Sequence, residues 1–528
     1  MIREEIRKII EKSIKELQKK GVFFAFNIPK IRVEQPEIKG RGDYATNIAM
    51  AIARESKNSP TETAENLKSQ ILRLKSGIFE KIEIVSPGFI NFFLSKEYLQ
   101  KQIEEILKKK DKFGQLDTGK GKKVNVEFIS ANPTGPLTLG NGRGGFCGDV
   151  LTNVLNKAGY KAEREYYIND TGEQVRKLGH SVIGDSEAVY KGEYIDNLRK
   201  RVKGDDPNEA GQKAAKIILE EMIKPSVKKM GIKFDVWFSE KELYNKKEVK
   251  RALEWLREKD LAYEKDGALW FKSTKFNDDK DRVLIKADGE TTYLASDAAY
   301  LKNKFNRGFE HLIYIWGADH FGYIERVKGV AEALGHKKEQ ADFIIMQLVR
   351  LLEKGQEVRM SKRTGVYVVL DELIDEVGLD VARFFFLTKS SNAHLNFDLG
   401  LAKEHSEKNP VYYIQYAYAR ICSIFKKTNL KPQTSKLELL THNNELGLIK
   451  KLIQLPEIIE DTAHDYQVQR LPQYAVELAT IFHQFYQNCQ VISEDKELSR
   501  ARLSLALATK TVLKNTLELM GVSAPQKM

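Results

Sequence analysis

The densest chemistry in the sequence lies in EFISANPTGPLTLGNGRGGFCGDVLTNVLNKAGY, residues 127–160. An apolar strand is expected to end near Ser130, a Pro/Gly loop follows, and a helix is expected to begin around Gly144. Glycines let backbone N–H groups approach an anion, and a helix N-terminus adds partial positive charge, so the segment suits phosphate. The plainer alternative is a tight strand-to-helix connection that holds nothing. Taken literally, Gly140, Gly142 and Gly145 fit G-x-G-x-x-G, and Glu165 lies 20 residues beyond Gly145, the pattern of a dinucleotide site. That oxidoreductase reading fits poorly. In the motif the first glycine turns directly off the strand, whereas about ten residues lead from Ser130 to Gly140. A second polar stretch, VRMSKRTGVYVVLDELIDEVG (358–378), places Ser361, Lys362 and Arg363 ahead of a helix. Cations there could close on a triphosphate as charge builds on it.

Such groups need a rigid frame. From Val124 short apolar runs alternate with helical stretches, among them VNVEFI (124–129), HLIYIWG (311–317) and FIIMQLV (343–349). This is the pattern of a buried parallel sheet in an α/β domain. Residues 176–285 are more polar and are expected to form an insertion within it. Residues 1–106 read as a small α+β unit. It opens with a helix whose Ile2, Ile6, Ile9, Ile10, Ile14 and Leu17 recur at spacings of three and four, and closes with the strand-rich VSPGFINFFLS (85–95). The basic stretch LKKKDKFGQLDTGKGKK (107–123) reads as an exposed linker. Beyond residue 400 long helical patterns run on with few glycines.

A chain of 528 residues is expected to hold three or four domains. Its 42% hydrophobic and 30% charged residues exclude general disorder. Lys plus Arg number 86 against 74 Asp plus Glu, a net charge of +12 that favours a polyanionic partner, nucleic acid foremost. Cys147, Cys422 and Cys489 are too scattered for a disulfide framework or a CxxC zinc site, which points to a reducing compartment. No apolar run approaches the roughly 18 residues of a membrane helix, and the charged first helix is not a secretory signal. The expectation is a cytoplasmic protein that does not engage a membrane.

In order along the chain, GDYATNIAMAIA (42–53), SPGFINFFL (86–94), VEFISANPTGPLTLGNGRGG, EYYINDTGEQV (165–175), YLASDAAY (293–300), IYIWGADHFGYIER (313–326), VRMSKR, NPVYYIQYAYARICSI (409–424), LPQYAVELATIFHQFYQNCQV (471–491) and GVSAPQKM (521–528) resemble the arginyl-tRNA synthetases, a family of class I aminoacyl-tRNA synthetases. The resemblance covers essentially the whole chain and outweighs the oxidoreductase reading. It implies an N-terminal additional α+β domain (1–106), a Rossmann-type parallel-sheet catalytic domain (124–399) and a C-terminal all-α anticodon-binding domain (400–528). It also implies ATP-dependent ligation of L-arginine to tRNA(Arg) through an arginyl-adenylate, with tRNA bound before activation. Mg²⁺ is expected only as the counter-ion of ATP, with no tightly bound cofactor and no protein metal site, and the enzyme is expected to be monomeric.

The family signature H-x-G-H reads Thr138-Leu139-Gly140-Asn141 here, so both histidines are replaced, although Thr and Asn still carry side-chain donors. The replacement leaves a rival reading, a tRNA-binding paralogue that no longer activates an amino acid. The second signature, K-M-S-K, reads Arg359-Met360-Ser361-Lys362. By resemblance the catalytic residues are Thr138, Gly140, Asn141 and Lys362, the last against the pyrophosphate leaving group. ATP is expected to meet these together with Pro133, Thr134, Gly135, Pro136, Asp319, His320, Met360 and Ser361. Guanidinium is a planar, permanently charged donor, so a carboxylate should grip it. The family pattern assigns Glu127, Ser130, Ala131, Asn132, Tyr293 and Asp297 to arginine. Glu127 is a charge inside an apolar strand and needs a partner, while Tyr293 and Asp297 share a helical face. For tRNA the resemblance implies Asp43, Tyr44 and Asn47 at the outer corner and Tyr412, Tyr416, Arg420 and Met528 in the tail, where aromatics stack on unpaired bases.

Overall fold

Five parallel strands frame the middle of the chain: β1 (Lys123–Glu127), β2 (Lys161–Ile168), β3 (Val236–Ser239), β4 (His311–Gly317) and β5 (Ala341–Met346). The computed structural model describes residues 1–38, 40–74, 77–358 and 369–528. The strands lie in the order β5-β4-β1-β2-β3 with every neighbouring pair parallel. This is a doubly wound sheet, in which ligands bind at the carboxyl ends where the strand order reverses, here between β1 and β4. Side chains alternate between the faces. Val124, Val126, Ile313 and Ile315 join one core with helix α1 (Leu139–Lys157), and Leu312 and Tyr314 join the other with helix α2 (Tyr293–Asn306).

The polar stretch 176–285 is not wholly an insertion, because β3 is the edge strand of the central sheet. Its apolar run is only three residues, Val236 to Phe238, within a polar stretch, too short to stand out as a buried strand. The satellite part is a three-stranded antiparallel sheet of Ala262–Lys265, Ala268–Phe271 and Arg282–Ile285.

Both ends of the expected strand-to-helix connection shift toward the N-terminus. β1 stops at Glu127, and Ile129 and Ser130 then adopt φ of +65° and +37°. A β-branched residue in that region costs about 1–3 kcal/mol and persists only where its surroundings hold it. Tyr166 Oη holds this turn by donating to the Ala131 carbonyl at 2.9 Å. α1 begins at Leu139, so the glycines at 140, 142 and 145 lie inside the helix rather than in a loop. A Cβ on Gly142 would fall 2.5 Å from Leu370, one on Gly145 2.5 Å from Met230, and one on Gly148 inside the Phe128 ring. Their spacing of three is a close-packing stripe, which disposes of the dinucleotide pattern.

The N-terminal unit has a three-stranded antiparallel sheet, Tyr44–Thr46, Phe89–Leu94 and Phe79–Val85, covered by helices Ile2–Lys19, Ile48–Ser56, Pro60–Arg73 and Lys96–Lys109. The segment read as an exposed linker is a packed connector. Its first residues finish the helix Lys96–Lys109, Phe113 is buried, Leu116 N–H donates to Lys157 O at 2.9 Å, and Asn515 Nδ2 donates to Lys110 O and Phe113 O at 3.0 and 3.1 Å. Its lysines face water while much of its backbone is hydrogen-bonded.

Helix α3 (Leu379–Leu387) and strand Leu395–Asp398 complete the central α/β unit. Beyond Leu399 every described element is helical, the longest being α4 (Pro410–Lys426), α5 (Arg470–Asn488) and α6 (Lys496–Met520). Among the described residues no helix is long and apolar enough to cross a membrane.

Candidate active site

The N-terminus of α1 opens at the switch point between β1 and β4. Thr138 caps it, and its N–H and Oγ1 donate to Asn141 Oδ1 at 2.9 and 3.0 Å. The two residues that replace the family histidines therefore hold one another, and Asn141 Nδ2 stays available as a donor. Gly140 is exposed in the first turn, where unpaired N–H groups and the helix dipole favour an anion. Ahead of it Pro133 is buried, Thr134, Gly135 and Pro136 are half-buried, and the Thr134 carbonyl accepts from Tyr194 Oη at 3.0 Å. Thr138 also bridges Val369, and Leu370 N–H donates to Leu137 O at 3.0 Å. Val369 and Leu370, seven and eight positions beyond Lys362 in the sequence, are thus tied to the first signature. Met360, Ser361 and Lys362 lie outside the described residues. Asp319 and His320 stand in the exposed turn Ala318–Tyr323 directly after β4, 3.4 Å apart, with His320 5.6 Å from the Trp316 ring.

Beneath this rim Glu165, Glu127 and Tyr314 lie side by side on the adjacent strands β2, β1 and β4. Glu127, expected to meet the substrate, has its charge taken up within the protein: Lys304 Nζ, wholly buried, donates to Glu127 Oε2 at 2.6 Å. Ser130 Oγ donates to the other oxygen at 3.3 Å and accepts from Tyr167 N–H at 3.1 Å. Glu165 is likewise internal, pairing with Arg307 at 2.7 Å and accepting from the Tyr300 hydroxyl, so it is not free for a ribose. Burial pushes its carboxyl up, but Lys304 and Arg307 outweigh this and hold it below its ordinary range.

Two other carboxylates are treated differently. Asp297 accepts from Tyr323 Oη at 2.6 Å and Glu240 from Thr171 Oγ1 at 3.2 Å, and neither has an ion-pair partner among the described residues. Burial and then the proximity of Glu240 and Glu127 raise Asp297 to about 7, although Tyr323 and Lys304 act the other way. Burial also raises Glu240. The buried Tyr167 hydroxyl feels the charge of Glu240, Asp297 and Glu127 together. Tyr293 stands 51% exposed one turn above Asp297, at the mouth, while Ala131 is half-buried and Asn132 exposed on the opposite lip. The result is an electronegative recess with two uncompensated carboxylates. Sequence reasoning reached Asp297 and Tyr293 but missed Glu240, Tyr167 and Lys304. Lys304 was within reach, since 293, 297, 300 and 304 continue one helical stripe.

The outer-corner residues separate. Tyr44 is buried and donates to Glu457 Oε1 at 3.0 Å, and Asp43 pairs with Lys450 at 2.7 Å. Both join the N-terminal unit to the C-terminal helices, and Tyr44 has no surface to offer RNA. Asn47, ahead of Ile48–Ser56, is exposed. On the helical domain Tyr412 stacks on Tyr416 (6.2 Å), and the Arg420 guanidinium lies 4.6 Å from the Tyr416 ring and 4.9 Å from the Tyr486 ring of α5. Tyr416 and Tyr486 are exposed, so the ladder presents aromatic faces outward. Tyr486 went unnoticed because its partner is on another helix. Met528 is exposed at the end of the tail, which Ser523 N–H fixes to Asp380 at 3.0 Å. Among the described residues no group of three or more His, Cys, Asp or Glu is placed to hold a metal.

Three family models match in sequence: "Arginyl tRNA synthetase N terminal domain" over residues 4–94, "tRNA synthetases class I (R), catalytic domain" over 102–182 and 183–398, and "DALR anticodon binding domain" over 414–528. An arginine–tRNA ligase of Caldanaerobacter subterraneus is 45% identical over 561 residues, covering 100% of this chain and 99% of the relative. One from Bacillus subtilis is 43% identical over 555 residues, covering both chains fully. The solved structure of Thermus thermophilus arginyl-tRNA synthetase superposes with a TM-score of 0.77 over the full length of both chains at 20% identity, a likeness of fold.

Proposed function

The chain belongs to the arginyl-tRNA synthetases, class I enzymes that charge tRNA with arginine by ATP-dependent chemistry, and from that premise we propose how its own residues divide the work. Arginine's carboxylate attacks the α-phosphorus of ATP, the bond to the β-phosphate oxygen breaks, and pyrophosphate leaves. A ribose hydroxyl at the 3′ end of tRNA(Arg) then attacks the arginyl carbonyl and AMP departs. No covalent enzyme intermediate is required. Positioning and charge stabilisation supply the catalysis.

The N-terminus of α1, with Thr138, Gly140 and Asn141, receives the phosphates, and Pro133 to Pro136 shape the approach. Asp319 and His320 are assigned to the adenosine, and Lys362, with Met360 and Ser361, to the departing pyrophosphate. Mg²⁺ enters with ATP as its counter-ion. Asp297 and Glu240 take the guanidinium, since charge-assisted bonds to a planar cation restore the balance both lack. Tyr293 and Tyr167 flank the alkyl stem, and Ser130, Ala131 and Asn132 line the α-amino end. The exposed ladder Tyr412, Tyr416, Arg420 and Tyr486, with Met528 at its side, is assigned to the anticodon loop. The enzyme is read as a cytoplasmic monomer.

The pair of carboxylates, Asp297 and Glu240, that has no cation among the described residues carries this reading. Arginine-dependent ATP–pyrophosphate exchange, run with and without tRNA(Arg), tests it. Exchange that needs both arginine and tRNA is expected. Failure under both conditions with tRNA binding intact would overturn activation, and exchange without tRNA would remove the tRNA-first order.

A further inference from the structure

Four carboxylates surround the arginine recess, and the protein handles them in two ways. Glu127 and Glu165 face one another across β1 and β2, where like charges repel. Each has an internal cation: Lys304 lies 2.6 Å from Glu127 and 4.0 Å from Glu165, and Arg307 lies 2.7 Å from Glu165. Among the described residues Asp297 and Glu240 have hydroxyl and amide donors only. Lys304 has no solvent exposure, so its charge survives only through those partners. It lies on the same stripe of α2 as Tyr293, Asp297 and Tyr300. A helical side chain runs back toward the helix N-terminus, and Lys304 Nζ accordingly rests 4.3 Å from the Tyr300 ring and 4.2 Å from the Tyr314 ring. The ammonium therefore ends on the Asp297 side of its own Cα, among Glu127, Tyr300 and Tyr314 and close enough to favour the Asp297 charge.

We propose that Lys304 is a specificity-determining positioning residue, a fixed internal cation that occupies Glu127 and so stops the guanidinium of arginine at Asp297 and Glu240. It touches neither substrate nor reacting atoms. Without it Glu127 is a competing carboxylate deeper on the same face. Arginine then settles too low, and its carboxylate is drawn away from the α-phosphorus. Non-productive binding of this kind lowers kcat and KM together and leaves kcat/KM nearly unchanged. A lysine that merely supported the fold would instead reduce the active fraction without lowering KM. The proposal rests on the assignment of Asp297 and Glu240 to the guanidinium.

The test is tRNA arginylation with arginine titrated, in K304M, K304Q and the charge-balanced double variant K304M/E127Q, each checked by thermal melting. K304M is expected to lose at least tenfold in kcat with a lower KM for arginine, and K304Q, the second variant should Met not be accommodated, to change in the same direction. K304M/E127Q, which removes the competing charge, is expected to recover at least half of the wild-type kcat and the wild-type KM. A rise in KM for arginine in the folded single variants overturns the proposal, as does a folded double variant as slow as K304M. D297N separates the premise: unimpaired arginine binding in D297N would remove the guanidinium assignment itself, whereas impaired binding there with an unaltered K304M removes only the role of Lys304.

Discussion

Replacing Asp297 by Asn tests the recess most directly, because the structure predicts opposite effects on stability and on function. The Asp297 carboxyl is raised from its ordinary 3.8 to about 7, first by burial and then by Glu240 and Glu127. A carboxyl raised on folding binds its proton more tightly in the folded protein than in the unfolded chain. Stability is therefore undiminished below pH 4 and is lost as pH rises toward 7. At 1.36 kcal/mol per pH unit the loss is about 4 kcal/mol, and screening of the partly open carboxylate brings the working figure to about 2 kcal/mol. D297N removes the charge and keeps an acceptor for Tyr323. The substrate-free variant should melt several degrees higher than wild type at pH 8 and at the same temperature near pH 4. Its KM for arginine should rise roughly 30-fold or more, the loss of about 2 kcal/mol or more for a charged pair. In the wild type, ionisation of Asp297 predicts a KM for arginine about tenfold higher at pH 6 than at pH 8. Calorimetry and arginylation at varied arginine supply both readouts. A D297N variant that melts lower at pH 8, with KM within threefold of wild type, would refute the reasoning.

Gly148→Ala drives a methyl group into the Phe128 ring, so urea unfolding should report a loss of about 1–3 kcal/mol. Tyr44→Phe should cost about 1 kcal/mol in the same assay, through the lost bond to Glu457, and leave tRNA affinity unchanged, since Tyr44 is buried. Tyr486→Ala should weaken tRNA binding by about 1–3 kcal/mol in a filter-binding titration, with KM for arginine unaltered. Lys362→Ala should slow adenylate formation about 10²–10³-fold, measured by pyrophosphate exchange. Near-normal exchange would end its assignment to the leaving group.

The frame was readable because buried strands must be apolar: HLIYIWG matches β4 residue for residue. β3 was not, since its apolar run is only the three residues Val236 to Phe238 within a polar stretch. The glycines misled for a physical reason. They are poor helix formers in isolation, yet here the helix needs them to approach Leu370, Met230 and Phe128 closely. Glu127 announced itself as a charge that needed a partner, but the partner lies 177 residues away, and pairing it with Lys304 changed its reading from ligand to floor. Glu240 carried no local signal, because in FSEKEL a glutamate at a helix start is ordinary. Tyr44, read as an RNA contact from its motif, is satisfied by Glu457, and only the packing of the first unit on the last could reveal that.

Arg383 gathers three distant segments: its guanidinium donates to Met230 O at 2.7 Å, to Met520 O at 2.9 Å and to the Asp149 carboxylate of α1. Asn153, also on α1, donates to Leu519 O at 3.0 Å, a partner 366 residues later in the chain. At synthesis rates of about 5–20 residues per second, α1 waits about 20–70 s on the ribosome before its final support exists. The helix assigned to the ATP phosphates is thus among the first parts of the catalytic unit to be made and among the last to be secured. A nascent chain interrupted in the helical domain would carry both signatures yet lack the brace that sets the first, so that the supply of charged tRNA begins only with nearly finished molecules.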